Sequence, residues 1–165
     1  MFLSASFSTF GLPKNFLKEE CFVKVEKVLF KGELVTFKIA REDFSKQEPL
    51  EGVSFPELTS LVMFNKKEDT VIVDDGANYD YALYAGLHES ICCGKYKYLA
   101  PETSDPLDKC GAIDKMILEE MPSELRSMYL SMRIRMFKTL LERNLNERLN
   151  PMFERALKIL EEVTL

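Results

Sequence analysis

Thr70-Val71-Ile72-Val73-Asp74-Asp75-Gly76-Ala77-Asn78-Tyr79-Asp80-Tyr81-Ala82-Leu83-Tyr84 spans the point where the chain changes its hydrophobic period. Up to Asp74 the apolar residues form a short β-branched run, the signature of a strand. Past Asp75-Gly76 they recur every three or four positions, at Tyr81, Tyr84, Leu87, His88, Ile91 and Cys92, which is the spacing of one helix face. Asn78 is suited to cap the first turn and Gly94 to end the last, so the spacing predicts a helix over Tyr79–Cys93.

Upstream of this point the patterning is that of strands. Cys21, Val23, Val25 and Leu29 fall on one side of an extended segment. After the Lys31-Gly32 turn, Val35, Phe37 and Ile39 alternate with Leu34, Thr36 and Lys38, which predicts a hairpin. Ser60–Asn65 and Thr70–Asp74, separated by Lys66-Lys67-Glu68-Asp69, predict a second hairpin, for a total of four antiparallel strands. Arg41–Gly52 is a polar connection, and a single helical turn is expected at Asn15–Glu20.

Downstream the patterning is helical. Lys95–Asp108, with Pro101 and Pro106, is a loop expected to lap the face of the first helix. Lys109–Glu120 carries Ile113, Met116 and Ile117 on one face. Pro122-Ser123 introduces Glu124–Arg143, with Leu125, Met128, Tyr129, Met132, Met136 and Leu140 in register, and Asn150-Pro151 opens a last helix with Phe153, Ala156, Leu157 and Leu160. Strands first and helices afterwards predict an α+β fold of about four helices. A chain of 165 residues lies within the range of one core, so residues 1–165 are read as a single domain, mainly β over 21–75 and mainly α over 79–163.

Composition narrows the function classes. With 46% hydrophobic and 30% charged residues the chain is globular, and no apolar run approaches the ~20 residues of a membrane span. A net charge of -5 speaks against nucleic acid, and the cations Arg126, Arg133, Arg135 and Lys138 read as a solvated helix face. The apolar N-terminus lacks a basic n-region, so cysteines 21, 92, 93 and 110 are expected as reduced thiols in a cytoplasmic protein.

The residues with possible chemistry are His88-Glu89-Ser90-Ile91-Cys92. His88 is the one histidine in the chain, and Cys92 stands one helical turn beyond it. Residues four apart project about 40° from each other on a helix, so imidazole and thiolate converge on one ion as two imidazoles do in His-Glu-x-x-His. Together with Thr70-Val71-Ile72-Val73 before the helix, this resembles a small zinc-metallopeptidase domain over roughly Ser60–Glu120. The resemblance implies Zn2+ held by His88, Cys92 and an acidic residue of the next helix, for which Asp114 is chosen over Glu119 and Glu120, and Glu89 as the catalytic general base. Cysteine in place of the second histidine makes the zinc a weaker Lewis acid, so no peptidase activity is expected.

Other readings stand beside this one. His88 reads equally as a hydrogen-bonded core histidine, and the cysteines as small core hydrophobes. A structural zinc site would use His88, Cys92 or Cys93, and Cys110. Cys93 or Cys110 as a nucleophile lacks a third orienting residue, and Asp74-Asp75-Gly76 has Ala85 where a calcium loop has its glutamate. The main rival is a non-enzymatic interaction protein, in which Met116, Met121, Met128, Met132, Met136 and Met152 of the C-terminal helices face a protein partner or a second copy.

Overall fold

The computed structural model describes residues 23–42, 62–65, 69–74, 78–144 and 147–165. The turn expected at Asn15–Glu20, Cys21, most of the polar connection, the centre of the second hairpin loop and most of the Asp-rich turn before the first helix lie outside these residues. The described chain has four strands, β1 (Val23–Phe30), β2 (Glu33–Glu42), β3 (Val62–Asn65) and β4 (Thr70–Asp74). Four α-helices follow, α1 (Tyr79–Cys92), α2 (Lys109–Glu120), α3 (Ser123–Arg143) and α4 (Asn150–Glu161), with two short 3-10 turns between α1 and α2. This is the expected α+β arrangement, strands before helices.

Both hairpins form. Lys31 and Gly32 take positive φ, 50° and 79°, the geometry that lets a two-residue turn follow the twist of its strands. The sheet is nevertheless mixed, with order β1-β2-β4-β3 and β2 parallel to β4, which corrects the expectation of four antiparallel strands. Local patterning sets each hairpin, but not how two hairpins meet. Residues 43–69, which join β2 to β4 by way of β3, exceed the dozen or so that a parallel crossover requires.

Val23, Val25 and Leu29 share a side of β1 as expected, and it is the outer one, where they are 50%, 56% and 69% exposed. The buried side of β2, Val35, Phe37 and Ile39, decides which face is inward. The pairing places Val28 beside Val35 and Glu26 beside Phe37, so β1 turns inward its even-numbered residues, ending in the buried Phe30. Glu26 is accommodated by a hydrogen bond from the Tyr79 hydroxyl and an ion pair with Lys24 at 2.7 Å.

The inner face of the sheet carries α1 at close range. A Cβ on Gly86 would stand 2.8 Å from a Phe37 ring carbon and 3.2 Å from a Val71 methyl, so glycine sets the distance between helix and sheet. The other sides of α1 meet α2 and α3, and its last two turns are buried all round, Ala85 to Cys92. The helix is therefore central rather than amphipathic. It ends as expected, with Gly94 at φ 103°.

Gly111 plays a similar part between α2 and α4, where a Cβ would meet the Ala156 backbone at 2.9 Å. On α3 the buried residues are Tyr129, Arg133, Met136, Phe137 and Leu140, a stripe turned from the expected one. Met128 and Met132 are half-buried against the core, while Met116, Met121, Met136 and Met152 lie within it. Asn150 is the first residue of α4 rather than its cap, and Pro151 sits in the first turn as expected. Among the described residues no helix is long and apolar enough to cross a membrane.

Candidate metal centre

Three pairs of residues, each spaced one helical turn apart, meet where α1, α2 and α3 pack together. They are His88 and Cys92 on α1, Cys110 and Asp114 on α2, and Tyr129 and Arg133 on α3. An i, i+4 pair presents both side chains on one helix face, so three such faces turned towards one another form a compact polar nest. All six residues are at most 3% exposed.

His88 is the centre. Its Nε2 lies 3.1 Å from the Cys110 carbonyl oxygen, 3.7 Å from the Cys110 Sγ and 3.6 Å from Asp114 Oδ2. Its Nδ1 lies 3.4 Å from Glu89 Oε1. Cys92 Sγ is 3.7 Å from Nδ1 and 3.8 Å from Nε2, so the sulfur is off the lone-pair axis of either nitrogen. One ligand atom from each of His88, Cys110 and Asp114 lies within 4.8 Å of the others, the spacing at which side chains can share a cation.

Asp114 belongs to a second set of contacts. Tyr129 donates its hydroxyl to Oδ1 at 2.5 Å, and Arg133 donates Nε at 3.1 Å and Nη2 at 3.0 Å, both to Oδ2. The remaining Arg133 nitrogen approaches the Met136 sulfur at 3.6 Å, and the guanidinium lies 5.0 Å from the Phe137 ring centre. A guanidinium taken out of water needs this degree of pairing, because an uncompensated charge in the core costs several kcal/mol.

The electrostatics follow from burial and from this ion pair. Burial alone would push the His88 imidazole down, but the Asp114 carboxylate and the neighbouring thiols outweigh it and hold the group well above its ordinary value. Burial drives the Tyr129 hydroxyl well up, and the Asp114 carboxylate adds to the effect. The Cys110 thiol is raised by burial against the opposing pull of His88. Arg133 is held firmly protonated, as Asp114 overcomes its desolvation.

Set against the expected residues, the structure brings His88, Cys92 and Asp114 to one place and adds Cys110 to them. Cys110, expected as a ligand only in the structural-zinc reading, lies on the Nε2 side of the ring. Glu89 is 2% exposed beside Nδ1, on the side of the ring away from Cys110 and Asp114. Cys93 faces elsewhere, its thiol donating to the Ser90 carbonyl at 3.3 Å. Arg133 is the residue that sequence reasoning misplaced: it is 1% exposed and not part of a solvated face, because Asp114 pulls it inward. The overlooked signal was its spacing from Tyr129 and Phe137 on one helix face. Comparison with protein-family models, with curated proteins and with solved structures finds no match to this chain.

Proposed function

We propose that this protein binds one divalent metal ion of the zinc kind at His88, in a closed site that braces α1 against α2. The carrying observation is the approach of the His88, Cys110 and Asp114 ligand atoms to within 4.8 Å of one another, with Cys92 in contact with the same ring. Imidazole and thiolate together suit zinc and its neighbours and disfavour magnesium or calcium. Ligands drawn from two helices make metal binding part of the folding free energy.

The likeness to zinc peptidases is retained for the metal-binding helix alone. Hydrolysis needs a metal-bound water and a path for a peptide, and His88, Glu89, Cys92 and Asp114 are each at most 3% exposed. Ligands buried to this degree suit a structural ion rather than one that must admit a substrate.

The test is metal content. Protein reconstituted with zinc and then desalted should carry about one equivalent per chain, and His88→Ala should carry almost none. Affinity should fall as pH is lowered, because protons compete for the imidazole and the thiols. Wild-type protein that retains no zinc after reconstitution overturns the reading.

A further inference from the structure

The metal-binding reading leaves open which groups supply the negative charge, and the bonds already made by Asp114 bear on that choice. Oδ1 accepts from Tyr129, and Oδ2 accepts two N–H groups of Arg133. A carboxylate oxygen offers about two lone pairs, so Oδ2 is filled. A cation on Oδ2 would have to displace a guanidinium N–H and sit beside a positive group that burial prevents from moving into water. The two thiols have no such commitment among the contacts of the site. Cys110 Sγ and Cys92 Sγ both meet the His88 ring, at 3.7 Å and 3.8 Å from Nε2. Tetrahedral zinc with Zn–N near 2.0 Å and Zn–S near 2.3 Å holds nitrogen and sulfur about 3.5 Å apart, a separation Cys110 Sγ already approaches at Nε2, whereas Cys92 Sγ, as near to Nδ1 as to Nε2, reaches the ion only by turning.

We propose, on the basis of the metal-binding reading, that the cation is held by His88 Nε2 and the two thiolates of Cys92 and Cys110, while Asp114 stays bonded to Arg133 and Tyr129 as a positioning residue. The ligand class is therefore a thiophilic divalent cation: zinc, cobalt or cadmium. Binding exchanges the Nε2 contact with the Cys110 carbonyl for a metal bond and turns Cys92 about its single side-chain torsion, from a position equally near both ring nitrogens towards the Nε2 side. The thiol protons leave to solvent, and the proton that stays on the imidazole resides on Nδ1, which faces Glu89 Oε1 at 3.4 Å. No oxidation state changes. Asp114 holds α2 at the distance from α3 that keeps Cys110 facing His88.

X-ray absorption on the zinc-loaded wild-type protein tests the ligand count without any substitution. The expected spectrum has two sulfur scatterers per zinc at about 2.3 Å. In parallel, cobalt titrated into the metal-free protein should produce thiolate-to-cobalt absorption, reduced by about half in Cys92→Ser and again by about half in Cys110→Ser. Asp114→Asn, where it folds, should keep the full absorption, and a millimolar excess of magnesium should displace nothing. A single sulfur per zinc, or a cobalt spectrum insensitive to Cys92→Ser, overturns the two-thiolate assignment and leaves the metal-binding reading intact. Failure of the wild-type protein to take up either metal overturns both.

Discussion

The outer face of the β1–β2 hairpin and the junction of α1, α2 and α3 invert the usual division between inside and outside. The hairpin exposes Val23, Val25, Leu29 and Leu34, the last 59% accessible and directly opposite Leu29. The junction buries an arginine, an aspartate and the chain's one histidine at 1% or less. Side-chain polarity therefore does not decide position here. An edge strand is inside or outside according to the face its neighbour buries, and Val35, Phe37 and Ile39 together outweigh the alternate set of β1. A helix junction can bury charge when the partners arrive in matching pairs, as Asp114 does for Arg133.

The contrast can be broken most directly at Arg133. Arg133→Met removes the guanidinium from Asp114 in the core, leaving it only the Tyr129 hydroxyl and the His88 ring, and is expected to cost about 3–5 kcal/mol of stability, read by urea unfolding. Replacing Asp114 by Leu in the same chain should recover much of that loss, because the pair is removed as a unit. A loss below about 1 kcal/mol for the single change would mean that Arg133 reaches water.

Gly86→Ala probes the layer between the two regions. Its new methyl meets the Phe37 ring at 2.8 Å, and Phe37 is fully buried, so the expected cost is about 1–3 kcal/mol with a lowered thermal midpoint. If the proposed metal site holds, the same change should also weaken zinc retention, since α1 would be lifted towards α2 and α3.

On the outer hairpin face the effects should be small. Leu29→Thr and Leu34→Thr are each expected to alter stability by no more than about 0.5 kcal/mol, as surface changes do. A cost above about 1.5 kcal/mol, with a smaller sedimentation coefficient, would sharpen the picture differently: the face would then be covered in solution by a second copy. Glu26, on the inner side of the same hairpin, supplies a pH-dependent contribution. Burial raises its carboxyl, but the bonds from Lys24 and Tyr79 more than offset this and hold it below its ordinary 4.5. A depressed carboxyl stabilises above its unfolded value and loses that contribution as pH falls through the folded one. Glu26→Gln should remove this acid dependence, worth less than about 1 kcal/mol.

The expected site was partly legible. His88 and Cys92 were found from one helical turn of spacing, and Asp114 from its place beside Ile113 and Ile117 on the core face of the next helix. Cys110 was legible with Cys92 or Cys93 in the structural-zinc reading, but nothing local showed that it shares with Asp114, one turn on, the face of the second helix that meets His88. Arg133 was hidden, because a guanidinium among cations reads as solvated unless its buried anion is known, and that anion lies on another helix.

Sequence alone was sufficient for the order of strands and helices, the two hairpins, the Gly94 stop and the period change at Asp75-Gly76. These depend on neighbours within a few residues, where backbone geometry and side-chain periodicity act directly. The parallel pairing of β2 with β4, the inward face of β1 and the meeting of three helix faces at His88 emerged only in the assembled fold. Each depends on which distant surface a given face buries, and that is settled by the competition for one shared core among segments tens of residues apart.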